Sequence, residues 1–315
     1  MPNSSPSVTV VIPIRNAEPY LPELLPRLLA QTEVQLEEIL LLDSMSTDQS
    51  REIAARFEKV RLLPIRDFTH GGTRNLGIRE AKTEIVVLMT QDASPHSEDW
   101  MRKLIDPLSG ENTAYTFSRQ IPYPGTDPLE SYYLEQKFPA MASRTFQAGA
   151  EGIRSLDQVF SSNVSSALRR SLALKYPFDD KLIMAEDQQF SRDLQLAGYA
   201  VKYVHDSVVM HSHNYSLWQT FRRYFDSVIA INQLFPSHTL SASASEGLRY
   251  LRNEFAFLLK NHPLQLPRYL LYLASKTAAT VLAHSEQRLP LRMKKFFSMN
   301  QAYWKKAQTE KPSAS

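Results

Sequence analysis

Thr83-Glu84-Ile85-Val86-Val87-Leu88-Met89-Thr90-Gln91-Asp92-Ala93-Ser94-Pro95 is the stretch whose reading decides the fold. The apolar run Ile85 to Met89 is bounded on both sides by polar and turn-forming residues. That pattern fits a strand buried on both faces, as in a parallel sheet covered by helices. An acidic residue just past the carboxyl end of such a strand stands where open α/β sheets receive ligands. Asp-Ala-Ser-Pro is also good turn chemistry, so Asp92 alone reads equally as a turn residue. Its surroundings in the chain decide between the two.

Working outward, Val8 to Pro13 reads as a first buried strand and Glu38 to Leu42 as a second, ending at Asp43. Between them, Leu21, Leu24, Leu25, Leu28 and Leu29 fall at helical spacing within Ala17 to Gln31, where Pro26 is expected to kink or interrupt the helix. Ser46-Thr47-Asp48-Gln49 reads as a capping box opening a helix to about Phe57. A third strand spans Val60 to Ile65. His70-Gly71-Gly72 is either a flexible turn or part of a site, and a helix through about Ala81 follows. This strand–helix alternation predicts an α/β fold with a doubly wound, mostly parallel sheet. Arg15-Asn16, Asp43 and Asp92 then follow the carboxyl ends of strands, along one edge that suits a nucleotide.

Further along, Ala114 to Ile121 and Ser162 to Leu168 read as strands, with Pro122 to Arg154 a long loop or flap between them. Ala185-Glu186-Asp187-Gln188 opens a helix that ends near Gly198, and Val201 to Met210 is strand-like and leads into His211-Ser212-His213. From Leu217 the pattern is helical. The expected organisation is a domain over 1–235 and a helical C-terminal extension over 236–315, with Thr309 to Ser315 frayed.

The chain has 315 residues, no cysteine, 43% hydrophobic residues and a net charge of +3, ordinary for a soluble globular protein. Disulfides and thiolate chemistry are thereby excluded, and a reducing cytoplasm is compatible. Met1 to Ser7 lacks the basic and apolar features of a secretory signal, and the apolar segment Tyr269 to Ala283 is too short to span a bilayer. Charge is uneven: from Glu246 onward there are 12 basic and 4 acidic residues, a balance of +8, against −5 before it. Leu289, Met293, Phe296, Phe297, Tyr303 and Trp304 recur at near-helical spacing among Arg288, Arg292, Lys294, Lys295, Lys305 and Lys306. Such a helix either lies in an anionic membrane interface or docks its apolar face on protein, as a homodimer would allow. Nucleic acid is not the expected partner, because the aromatics are not laid out as a stacking platform.

The chemistry-bearing residues are Asp43, Asp92, Glu186, Asp187 and the pair His211 and His213. Each has a plain alternative: a turn for Asp43, helix-dipole acids for Glu186 and Asp187, surface histidines for the pair. On a strand the two imidazoles would face the same side. Asn163 either contacts a ligand or satisfies a strand end.

In their order, Val11-Ile12-Pro13 with Asn16, Asp43-Ser44-Met45-Ser46-Thr47-Asp48, Thr73-Arg74-Asn75-Leu76-Gly77, Thr90-Gln91-Asp92 and Ala185-Glu186-Asp187 resemble the motifs of the family 2 glycosyltransferases, inverting enzymes of the GT-A fold. His70-Gly71-Gly72-Thr73-Arg74-Asn75 and Leu88-Met89-Thr90-Gln91-Asp92-Ala93 look most like the rhamnosyltransferase branch. The resemblance covers roughly Ser7 to Phe225. It implies a metal-assisted transferase that moves L-rhamnose from dTDP-L-rhamnose to a glycan or lipid-linked glycan of a bacterial surface polysaccharide. It implies Asp187 as general base with Glu186 in support, and Asp92 as ligand of Mg2+ or Mn2+ with His211 or His213 near the metal or diphosphate. Pro13, Arg15, Asn16, Asp43, Arg74, Gln91 and Asn163 would face the nucleotide sugar. The usual Asp-X-Asp is here Thr90-Gln91-Asp92, which leaves one strong hard-ion ligand. Rivals are a UDP-hexose transferase, a non-catalytic sugar-nucleotide-binding or scaffold subunit, and a nucleotidyltransferase, which would want a glycine where Ile14-Arg15-Asn16-Ala17 has none.

Overall fold

The structure is a computed structural model, and it describes residues 5–235 and 244–309. Pro236, near the expected domain boundary, lies outside the described residues, as do Met1 to Ser4 and the chain after Thr309. Compactness divides the chain into one unit of residues 1–125, 133–181 and 186–212, and another of 126–132, 182–185 and 213–315.

The first unit is built on a nine-stranded sheet: β1 (Ser7–Ile14), β2 (Gln35–Asp43), β3 (Val60–Pro64), β4 (Ile85–Met89), β5 (Ser94–Pro95), β6 (Thr113–Ile121), β7 (Arg144–Phe146), β8 (Ser165–Arg169) and β9 (Ala200–Met210), in the order β3-β2-β1-β4-β8-β6-β9-β5 with β7 on β9. Strands β3, β2, β1 and β4 run parallel, β8 runs antiparallel between β4 and β6, and β6 and β9 are again parallel. The alternation of side chains along a strand sorts each apolar run into two cores. Val10, Ile12, Ile39, Leu41, Val87 and Met89 join one cluster, while Val11, Leu40, Leu42, Val86 and Leu88 join the other.

Register fixes where the strand ends meet. Ile14 pairs with Asp43 and Val11 with Leu88, so β1, β2 and β4 finish together. Because β8 is antiparallel, with Met89 opposite Ser165, its start lies at that same edge. Ile121 pairs with Met210, which brings the ends of β6 and β9 level.

Local structure departs from expectation in four places. Pro26 sits inside the helix Leu21–Leu29 without interrupting it. Its missing N–H leaves the carbonyl of Pro22 without an i−4 bond, a loss offset by the buried face of Leu21, Leu24, Leu25 and Leu28. The helix after Asp43 is only Ser50–Ala54, and no capping box forms, since the Ser46 hydroxyl instead accepts from the Asn16 N–H at 2.9 Å. His70-Gly71-Gly72 is the first turn of the helix His70–Glu80, capped by Thr69, whose side chain accepts from Gly72 N–H. Glycine is needed at position 71, because a Cβ there would lie 2.4 Å from the carbonyl oxygen of Asp179. Last, Pro122 to Arg154 is not all loop: it contains the helix Pro128–Lys137 and β7, with Leu134 and Phe138 buried in the second of the two cores.

The second unit is helical, with long helices Leu217–Leu234, Ala244–Asn261 and Leu266–His284 followed by Leu291–Phe297 and Gln301–Thr309. Much of the aromatic stripe of the final helices is used internally. Trp304 is buried with Phe221, Phe225 and Ile229, and Leu289, Phe297 and Tyr303 pack against them. Phe296 of these helices stays exposed, and a further exposed apolar surface lies on Leu248, Phe255, Leu259, Leu270, Leu271 and, 95% exposed, Leu264. Among the described residues no helix is long and apolar enough to cross a membrane.

Candidate active site

The edge where β1, β2, β4, β6 and β9 end collects most of the acidic and histidine candidates. Asp92 follows β4 by three residues and His211 follows β9 directly, its N–H bonded to the carbonyl of Ile121 at 2.9 Å. His211 Nε2 lies 3.7 Å from Asp92 Oδ1. His213 is two residues further along the chain, and Asp92, His211 and His213 each offer a ligand atom within 4.8 Å of the others. Strand β9 ends at Met210, as its pattern reads, so the two histidines follow the strand and its alternation does not place them. One carboxylate and two imidazoles form a donor set suited to a divalent transition ion. Thr90, in the place of the usual first carboxylate, buries a hydroxyl without a hydrogen-bond partner.

Glu186 and Asp187 begin the helix Glu186–Leu196, directly after Ala185, whose φ of +66° is in the left-handed region. Such a conformation in a residue with a side chain is strained, and strain of this kind collects at functional positions. Glu186 is buried and pairs with the equally buried Arg74 at 2.9 Å, and Arg74 also donates to the His70 carbonyl at 3.0 Å. Asp187 accepts from the backbone N–H of Asn163 at 3.2 Å and of Gln188 at 2.8 Å. Burial pushes Glu186 up, but Arg74, then His70, outweigh it and hold its carboxyl below the ordinary range. For Asp187, burial and then the neighbouring Glu186 charge win, and the carboxyl is pushed up to about 7. Asp187 remains partly open to solvent, as a group that meets a substrate must.

One short segment ties the two clusters together. Ser161 Oγ donates to the carbonyl of Asp187 at 2.9 Å, and Asn163 Nδ2 donates to Glu186 at 3.3 Å. Ser162 Oγ accepts from Gln120 Nε2 at 2.8 Å, while Gln120 Oε1 meets His211 Nδ1 at 2.9 Å. The carbonyl of Val164 takes the N–H of Thr90 at 3.1 Å. Residues 161–164 thus hold the Asp187 end and the Asp92 end on one frame. Asn163 is held firmly in this role, since its Oδ1 also accepts from Tyr115 and Ser166. Gln120 and Ser162 went unnoticed in the sequence, where a Gln at a strand end and a Ser among serines carry no distinctive spacing.

The remaining candidates build the loops at the same edge. Asp43 is fully buried, one oxygen accepting from Ser46 N–H at 2.9 Å and the other from Arg51 Nε at 2.7 Å. Burial opposes its charge, but Ser46 and Arg51 together hold its carboxyl below the usual range. Asn16, at φ +50°, accepts from Thr47 N–H at 2.9 Å. Gln91 grips both backbone groups of Arg15, at 2.8 and 3.2 Å, and so ties the end of β4 to the end of β1. Pro13 is a half-buried residue of β1 opposite Leu42.

A sheet of this topology with acidic residues at its carboxyl edge belongs to the class of open α/β proteins that receive ligands at that edge. The family model for glycosyl transferase family 2 matches residues 9–175, and the chain belongs to that family and is a glycosyltransferase. It is 32% identical over 308 residues to the O-antigen chain rhamnosyltransferase RfbN of Salmonella typhimurium LT2, covering 96% of this chain and 97% of that one. It is also 32% identical over 318 residues to the O-antigen chain rhamnosyltransferase WbaN of Salmonella anatum, with the same coverage. Among solved structures, the mannosyltransferase PcManGT of Pyrobaculum calidifontis, in complex with GDP-Man and Mn2+, superposes with a TM-score of 0.56 at 18% identity over 98% of this chain and 88% of that chain. S. aureus TarS 1-349 in complex with UDP-GlcNAc gives 0.54 at 18% over 96% and 92%. The fold is therefore of the GT-A type.

Removing one partner of a buried ion pair strands the other charge, which costs about 3–5 kcal/mol. Arg74→Ala is accordingly expected to destabilise the protein by roughly that amount at pH 7. Chemical denaturation checks it, and a loss below about 1 kcal/mol would mean that Glu186 is solvated or protonated instead.

Proposed function

We propose that the protein is an inverting rhamnosyltransferase that moves L-rhamnose from dTDP-L-rhamnose to a hydroxyl of a lipid-linked glycan in bacterial surface polysaccharide synthesis. The observation that carries the reading is the raised carboxyl of Asp187, fixed by backbone N–H groups on the same frame as the Asp92–His211 pair. A carboxyl whose pKa is close to the working pH is a good general base. Asp187 takes the proton of the acceptor hydroxyl as that oxygen attacks the sugar carbon opposite the diphosphate. Glu186, ionised against Arg74, keeps Asp187 basic. Asp92, His211 and His213 would hold Mn2+ or Mg2+, with the imidazoles favouring Mn2+, and the ion would supply charge neutralisation on the departing diphosphate. Asp43 and Asn16 shape the loop that reads the base, and Arg15 and Gln91 join it to the metal side. The rhamnose donor is supported by the similarity to RfbN and WbaN, which are rhamnosyltransferases, and the polysaccharide acceptor by their action on O-antigen chains.

An acceptor carried on lipid calls for contact with a membrane surface. The helices Ala244–Asn261 and Leu266–His284 suit that contact better than the final helices do. Leu248, Arg252, Phe255 and Leu259 share one exposed face, Arg249 and Lys260 flank it, and Leu264 projects at the turn. From Gly247 to His284 the only acidic residue, Glu254, is buried. Apolar side chains among unopposed cations match an anionic bilayer.

Asp187→Asn is expected to lower transfer by at least about a thousandfold, within the combined reach of a lost base and a misplaced acceptor. In the wild type, kcat/KM should fall about tenfold per pH unit below about 7 and be level above it, because only the ionised base accepts a proton. The sign for stability is opposite. Folding raises this pKa, so the folded state is penalised above about pH 7 and relieved below it, and Asp187→Asn should melt no lower than wild type at pH 8. Normal turnover in this variant would remove Asp187 as base. A thermal-shift panel with Mn2+ should show dTDP stabilising more than UDP or GDP, by mass action. Preference for UDP would reassign the donor, and no response to any nucleotide would refute the nucleotide-sugar donor proposed here. Flotation with vesicles containing anionic lipid should carry the wild type but not Leu259→Glu/Leu264→Glu; equal flotation would exclude this surface.

A further inference from the structure

We propose that Gln120 is a positioning residue for the metal side of the site: its carboxamide holds His211 as the Nδ1–H tautomer and so presents an unprotonated Nε2 toward Asp92. The inference rests on the metal assignment above only for its consequence, since the tautomer itself is a property of the protein alone.

Gln120 and His211 sit at the parallel ends of β6 and β9, locked by the Ile121–Met210 pairing and by the His211 N–H on the Ile121 carbonyl. Both side chains are buried, so neither swings freely to a second partner. Gln120 Oε1 lies 2.9 Å from His211 Nδ1, and the other end of the carboxamide donates to Ser162 Oγ at 2.8 Å. A carbonyl oxygen only accepts, so the nitrogen facing it must carry the proton. A neutral imidazole holds one proton, and Nε2, 3.7 Å from Asp92 Oδ1, is then the basic nitrogen. Were the carboxamide reversed, its NH2 would donate to Nδ1, and Nε2 would carry a proton aimed at Asp92. That arrangement makes a hydrogen-bonded acid–imidazole pair that cannot coordinate a cation through Nε2. Ligating histidines generally have their second nitrogen held by an oxygen acceptor, and loss of such a partner costs about 10–100-fold in metal affinity.

Ser162 couples this choice to the other half of the site. Its hydroxyl takes the Val164 N–H at 3.4 Å on one lone pair and the Gln120 Nε2–H at 2.8 Å on the other. The tautomer of His211 and the placing of Asn163 beside Asp187 are thus set by one run of four residues.

The test uses the full chain labelled with 15N-histidine, with His211→Gln to assign the signal, at pH 8 without metal or nucleotide. Long-range 15N–1H correlations read which nitrogen is protonated. Wild type and Gln120→Glu, which offers an acceptor in either orientation, should both show His211 protonated at Nδ1, and Gln120→Leu should show a mixture of the two forms. Mn2+ titration should then give Gln120→Leu a Kd raised about 10–100-fold, with Gln120→Glu within about threefold of wild type or tighter. An Nε2–H signal in the wild type overturns the proposal, as does a Gln120→Leu protein with wild-type tautomer and wild-type Mn2+ affinity. If Gln120→Leu does not fold, the wild-type and Gln120→Glu spectra still decide. A wild type with the expected tautomer but no Mn2+ binding would refute the metal assignment and leave the positioning role of Gln120 standing.

Discussion

One guanidinium cannot neutralise two adjacent carboxylates, one buried and the other half-buried. Arg74 faces Glu186 at 2.9 Å, and Asp187, one residue on, has only backbone N–H groups and a share of solvent. Like charges so close favour a proton on one of them, and the geometry selects Asp187. The rest of the first unit is consistent with serving this imbalance. Thr69 caps the helix that carries Arg74, and the side chain of Asn75 pins Phe178 through both its N–H and its carbonyl, at 3.0 and 2.8 Å. The left-handed turn at Ala185 delivers the two acids together at a helix start.

An arrangement of this kind opposes stability. Burying a carboxyl that would rather be solvated costs the fold free energy that a neutral isostere would not. The two apolar cores drawn from the alternating faces of β1, β2 and β4 offset that cost through burial of apolar surface. The division of labour is spatial: the middle of each strand is packed, and its carboxyl end is given over to polar contacts.

The backbone of this scheme could be read from the chain itself wherever a local rule applied. Ile85–Met89 is the strand that its apolar run predicts, and Glu186 opens a helix where acids favour a helix start. What escaped reading was set by contacts between distant residues. Whether Ser46 caps a helix or binds Asn16 depends on a loop 30 positions away. His70-Gly71-Gly72 has glycines that argue against helix by propensity, yet it is helical under its Thr69 cap, and the glycine at 71 is there because the carbonyl of Asp179 fills the space of a side chain. The residues of the site were mostly identifiable by type and place, but their duties were not. Asn163, Gln91 and Asp43 hold other groups in position, and Gln120 and Ser162, which do the same, have no signature in the chain at all.

The missing Cβ at position 71 has an effect beyond packing. Any side chain there would push the Asp179 carbonyl away from the start of the helix that carries Arg74, and so disturb the counter-charge of Glu186 without touching a ligand. In a comparison of tolerated substitutions this glycine would therefore be as intolerant as the acids themselves, a false positive for chemistry whose true subject is the spacing between two stretches of main chain.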